Sequence, residues 1–178
     1  YRRTPARRAV LDALAIAAPA LRTAAVLDAA TDGLDADAYA HAQAREVVPP
    51  PGTVVAGRYW LGAAAAVAAS QAILAALQAF HAALPDHPGP DIARLRRIAT
   101  PRLAVPLHRK LVDALRAQGC IAGHGPSLRL PQHAVALDQR DESLARRIAP
   151  RLDAAGRRGA WVRDLAAQLG EPESTLRA

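Results

Sequence analysis

The side chains best equipped for chemistry in this sequence are arginines. Of its 23 basic residues only Lys110 is a lysine, and Arg94, Arg96, Arg97, Arg102, Arg109, Lys110, Arg116 and Arg129 fall close together along the chain. A guanidinium is a planar fork of donors that matches two phosphate oxygens, so such a cluster points to a nucleic-acid backbone rather than to proton-transfer catalysis. The charge is unevenly placed: residues 1–89 hold seven basic and seven acidic side chains, residues 90–178 hold sixteen and nine, and the whole excess of +7 lies in that second half. The plain alternative is a solvated surface whose Arg and Ala reflect codon bias.

Other chemistries are poorly served. Cys120, His124 and His133 are near one another in sequence, as are His81 and His87, but no second thiol or carboxylate joins them at metal-ligand spacing. There is no GxxxxGK[ST] loop to cradle a nucleotide and no Ser or Cys with a base motif around it. The stretch is expected to be no enzyme and to hold no cofactor or metal. With one cysteine it has no internal disulfide, which suits a reducing cytoplasm.

The elements that must position the arginines are helices. Hydrophobic residues make up 51% of the 178, but 45 of the residues are Ala and aromatics are only 3%, so the core is thin and closed by Leu, Val and Ile over Ala-rich helix faces. Alanine is the best helix former, which makes the fold mainly α and excludes a β-sandwich or barrel. The apolar run from Ala63 to Leu84 is broken by Ser70, Gln71, Gln78 and His81. Its Ile73, Leu77, Phe80 and Leu84 recur at three-to-four spacing, the mark of a buried stripe rather than a membrane span. Tyr1-Arg2-Arg3 leads straight into amphipathic sequence with no signal peptide, and the lack of any Met suggests a piece excised from something longer.

Along the chain one pattern recurs. Thr4-Pro5 opens a helix with Val10, Leu11 and Leu14 as its apolar face. A second helix runs from about Leu21 to Ala30, and a third, capped by Asp35 or Asp37, ends before Pro49-Pro50-Pro51. Thr53–Leu61, β-branched and aromatic around Gly57, reads as a hairpin. A long helix from Ala63 to Leu84, a short one from Asp91 to Ala99 and one opened by Pro106 with Leu107, Leu111 and Leu115 follow, and a second hairpin joins Cys120–Ala122 to Ser127–Leu130. Three helices closed by a hairpin make a winged helix, so the expected fold is tandem winged-helix modules with small β-hairpins: 1–61, 62–131, and an incomplete third at 132–178. In the third, Leu144, Ile148 and Leu152 share a helix that Pro150 kinks or shortens, and Trp161–Gly170 leads through a turn into Pro172. On the Pro106 helix, Arg109, Asp113 and Arg116 face away from the leucines with Lys110 at the edge, making the cations candidate phosphate contacts unless Asp113 simply pairs with them. Wing residues Arg58, His124 and Arg129 are further candidates.

Three stretches in this order, His87-Pro-Gly-Pro-Asp-Ile-Ala-Arg-Leu-Arg-Arg97, Leu128-Arg-Leu-Pro-Gln-His133 after a wing, and Trp161-Val-Arg-Asp-Leu-Ala166, resemble the C-terminal extension of bacterial selenocysteine-specific translation elongation factors. That resemblance runs from about Pro5 to the end. It implies winged-helix modules behind a GTPase body, which would carry GTP, Mg and selenocysteinyl-tRNA. A distal module, not contained here, would grip an mRNA hairpin near a recoded UGA, so no hairpin-binding residue carries over. The implied role is a cytoplasmic, monomeric spacer arm, away from any membrane, that works at the ribosome and touches ribosomal RNA or tRNA. Two other readings of the same residues are a winged-helix DNA-binding transcription regulator and a protein-docking scaffold.

Overall fold

In the computed structural model, residues 4–123, 126–136 and 139–177 are described, the Arg158 side chain excepted. They form two compact units, Tyr1–Ala134 and Val135–Ala178. In the first unit, α1 (Pro5–Leu14) begins at Thr4, whose hydroxyl accepts from the Arg7 N–H at 3.3 Å. Its partner α2 (Pro19–Ala29) starts on Pro19, two residues before the expected Leu21, the proline's missing N–H falling where no intrahelical acceptor exists. The anticipated α1 stripe is only partly used. Ala13 is buried, while Leu11 is 57% exposed and Leu14 is also exposed.

A strand of two residues, β1 (Leu34–Asp35), precedes α3 (Ala36–Ala42), and the Asp35 carboxylate caps α3 by accepting from the Ala38 N–H at 3.2 Å. β1 was not anticipated, because two residues carry no alternation to read. It pairs antiparallel with β3 (Tyr59–Leu61), which pairs in turn with β2 (Val54–Ala56), giving the order β1-β3-β2 with Leu34 opposite Trp60 and Val55 opposite Trp60. Gly57, at φ 60°, makes the hairpin turn. Between α3 and β2 there is no further helix. Three consecutive prolines, Pro49 to Pro51, lack the donors a helix would need.

α4 (Ala63–Ala83), α5 (Ile92–Ala99) and α6 (Val105–Ala117) follow. By length and composition α4 could cross a membrane, with mean hydropathy 1.6, but here its Ile73, Leu77 and Phe80 are core residues. Leu84, expected on the same stripe, lies beyond the helix and is partly exposed. The anticipated second hairpin contracts to one antiparallel bridge, Ala122 with Arg129, closed by two 2.8 Å backbone hydrogen bonds, while Leu128 is buried and its N–H donates to the Pro90 carbonyl at 2.9 Å.

The main core joins Ile73 and Leu77 of α4, Leu95 of α5, Leu107, Leu111, Val112 and Leu115 of α6, Ile121 and Leu128, and also Leu61 of β3. Leu61 sits among residues that follow it by 12 to 67 positions, so the first hairpin and the second helix trio close over common apolar volume. The approach is close: a Cβ on Gly33, which holds φ 93°, would stand 2.7 Å from Leu107 Cδ1. Smaller clusters, Ala13 with Val26 and Tyr39, and Leu27 with Ala36 and Trp60, fill the rest.

The second unit is helical, with α7 (Gln139–Ala155), α8 (Val162–Leu169) and α9 (Glu173–Arg177). Pro150 lies inside α7 without ending it, and Leu144 and Ile148 face the Leu165–Leu169 core while Leu152 is exposed, contrary to the shared register expected. Gly170 closes α8 in the left-handed conformation, φ 66°, ψ 28°.

Candidate nucleic-acid interface

The unit boundary sharpens the charge distribution. Residues 90–134 hold eight basic and two acidic side chains, a net +6 in 45 residues. Those eight are the residues singled out by their clustering, but the structure gives them unlike jobs.

Arg96 and Arg129 are braces. Arg96, half-buried, donates through Nη1 to the carbonyls of Pro101 at 2.9 Å and Leu103 at 3.2 Å, tying the end of α5 to the turn that leads into α6. Arg129 donates from Nη1 to the His133 carbonyl at 2.6 Å. These carbonyls hold each guanidinium through Nη1 alone, which fixes its direction and leaves Nε and Nη2 as the donors a phosphate could still meet. Arg102 is exposed and faces Asp32 at 4.0 Å, a separation at which an exposed pair contributes little. Arg94 lies over the Phe80 ring, 4.8 Å from its centroid.

Arg97, Arg109, Lys110 and Arg116 remain. All are exposed, and none of the four side chains takes part in a described hydrogen bond or ion pair. On α6 the burial follows the helical period: Leu107, His108, Leu111, Val112 and Leu115 turn inward, and Arg109, Lys110, Asp113 and Arg116 turn outward. None of the described ion pairs includes Asp113, so the local neutralisation by Asp113 is not formed.

What holds this face in place is a polar brace that sequence reasoning missed. His108 is 1% exposed, and its Nδ1 lies 2.9 Å from the Thr100 hydroxyl across the α5–α6 turn. Burial, and then the charge of Arg96, lower its pKa to about 4, so the imidazole is neutral at physiological pH. The available signal was its place beside Leu107 and four residues before Val112, on the buried side of the stripe.

Of the wing candidates, Arg58 is engaged with Asp35 at 3.3 Å and stacks on Tyr59, to whose hydroxyl its Nη2 donates at 2.9 Å. His124 lies outside the described residues. His81, His87 and His133, too sparse in sequence for a metal site, do converge, with the rings of His81 and His133 stacked 3.6 Å apart. One nitrogen of each is turned to a backbone group, and among the described residues no group of three or more His, Cys, Asp or Glu is placed to hold a metal ion.

Comparison with known proteins agrees with this architecture. Residues 74–130, from mid-α4 through the Ala122–Arg129 bridge, match the family described as elongation factor SelB, winged helix. The chain is also 33% identical over 133 residues, 75% of its length, to the selenocysteine-specific elongation factor of Escherichia coli (strain K12). It spans about a fifth of that relative, 21% of its length. Residues 74–130, which hold the later part of α4, all of α5 and α6 and the bridge, thus carry a winged-helix domain of the elongation factor SelB family.

Proposed function

We propose that this chain is the winged-helix arm of a selenocysteine-specific elongation factor. It comprises modules at 1–61 and 62–131 and the first part of a third at 132–178, and it serves as an RNA-associated spacer in the cytoplasm. The arm carries no catalysis of its own; GTP, Mg and aminoacyl-tRNA belong to a GTPase body elsewhere in such a factor, and the mRNA hairpin to a more distal module. The carrying observation is that Arg109, Lys110 and Arg116 on the outward face of α6, and Arg97 on α5, are exposed with no side-chain ion pair among the described residues, within a stretch of net +6. Unpaired, exposed guanidinium groups on a rigid helix bind phosphate without reading sequence, which suits contact with structured ribosomal RNA or tRNA. The core common to both modules supports the spacer role, since a hinge between them would have to expose Leu61 and Leu107.

Fluorescence anisotropy with a structured RNA across a salt series tests this. Binding should weaken steeply with salt. Replacing Arg97, Arg109, Lys110 and Arg116 by Ala should lower the slope of log K against log salt by about 3, since each neutralised phosphate contributes about 0.7–0.9 to it. No binding at low salt would leave a docking scaffold as the reading. Tighter binding to duplex DNA of equal length would favour a transcription regulator.

A further inference from the structure

Residues 128–133 lie against α4 as a strap, and most of its fastenings run through histidine. The Leu128 N–H donates to the Pro90 carbonyl at 2.9 Å, the Leu130 N–H to His81 Nε2 at 3.3 Å, and His133 Nε2 to the His87 carbonyl at 3.0 Å. Arg129 closes the strap on itself through the His133 carbonyl. The His133 ring lies flat on that of His81, centroids 3.6 Å apart and planes 12° from parallel, and Phe80 meets His81 and His87 edge-on. Gly89 admits the strap, since any Cβ there would strike the Leu128 carbonyl oxygen.

This arrangement holds one protonation state. A backbone N–H can only donate, so His81 Nε2 must offer a lone pair to Leu130 and the ring proton sits on Nδ1, which is buried without a partner. A second proton on Nε2 would replace that acceptor with a donor aimed at another donor. Nothing nearby would welcome the charge: His133 and Arg129 act on His81 from the strap, His87 from the turn after α4, and Arg94 of α5 lies beyond Phe80, with no carboxylate acting on it among the described residues. Burial first, and these like charges after it, lower the His81 pKa.

We propose that His81 and His133 form a proton-operated clasp, which holds the strap to α4 while His81 is neutral and releases residues 130–134 when it is protonated. Those residues are the last of the first unit. Acidification thus frees them from α4.

Amide hydrogen exchange followed by NMR on the whole chain tests the clasp, with rates expressed as protection factors so that the pH dependence of chemical exchange cancels. From pH 7.5 to 5.5, in a His108→Gln background that removes the acid destabilisation of the whole unit, the Leu130 amide should lose severalfold and up to about tenfold more protection than that of Leu107, and the loss should track the titration of the His81 ring proton. In His81→Gln, whose amide oxygen can accept but does not titrate, Leu130 protection should become independent of pH. If that variant folds poorly, His133→Phe keeps a stacked ring and removes one like charge, and should move the release to higher pH. Equal loss at Leu130 and Leu107, a His81 midpoint at the ordinary value near 6.5, or Leu130 protection that ignores pH in the unaltered chain would each overturn the proposal.

Discussion

The two units obtain their stability in different ways. In the first, twelve buried residues from α4, α5, α6, the wing and the β1-β3-β2 sheet make one cluster, and the fold is closed by contacts between residues far apart in sequence. In the second, Leu144, Leu165 and Leu169 form the buried cluster, with Ile148 and Leu176 packed beside it, and partly exposed polar contacts add to it. There Glu171 accepts Arg147 at 3.0 Å and faces Arg140 at 4.0 Å, and Arg147 also donates to the Leu169 carbonyl. A small unit buries a smaller share of its apolar area, and its partly exposed charged pairs add a small increment that salt weakens. Charge follows the opposite division: the net +6 lies on the well-packed unit, and only +1 on residues 135–178. A rigid core beneath free cations is the arrangement that suits a fixed phosphate-binding face.

The largest effect expected from breaking this contrast is at the common core. Leu107→Ala, at a fully buried side chain between the first hairpin and α4, should cost about 2–5 kcal/mol by the usual scale for buried leucines. It should move the unfolding of both modules of the first unit together in urea titration. Two separate transitions would mean that the shared volume does not couple them. Leu165→Ala should leave that transition where it is.

Next in size is acid. The neutral His108 binds its proton at about 4 when folded and near 6.5 when unfolded, so its contribution is complete above 6.5 and is lost as pH falls towards 4. Between pH 7 and pH 4.5 the loss amounts to about 2 kcal/mol of first-unit stability, measurable as the shift of the urea midpoint, and His108→Gln should reduce that dependence. The second unit contains no histidine and should not share it. Removing the cap of α3 is smaller: Asp35→Ala should cost about 1 kcal/mol, because the Ala38 N–H loses its acceptor and Arg58 its partner. Smallest is Arg147→Ala, expected to cost at most about 1 kcal/mol in the second unit. That cost should shrink in 1 M salt, whereas the Leu107→Ala cost should not.

Much of the helical fold was legible in advance because its signals are local. Thr4-Pro5, Asp35, Asp91 and Gly170 act as caps where their chemistry suggests, and Leu107, Leu111 and Leu115 are buried at the spacing that announced them. The misreadings are at places where a distant partner decides. Leu11 and Leu152 have the right spacing but no opposing surface, β1 exists only because β3 pairs with it, and the second wing shrinks to a single bridge because the Leu128 N–H goes to Pro90 instead. The candidate site behaves in the same way. Clustering found all eight cations, but carbonyls several residues away tie down Nη1 of Arg96 and Arg129, which the spacing did not show.

By itself, then, the sequence determined a mainly helical chain of repeated modules, its charge excess and the register of α6, since helix propensity, capping and the 3.6-residue period operate within a few residues. Only the tertiary structure decided that the first hairpin and α6 share a core, that four cations stay free, and that His81 and His133 stack across 52 positions of chain. Each of these depends on which groups exclude water together, and that is settled by close packing between segments whose separation along the chain carries no trace of it.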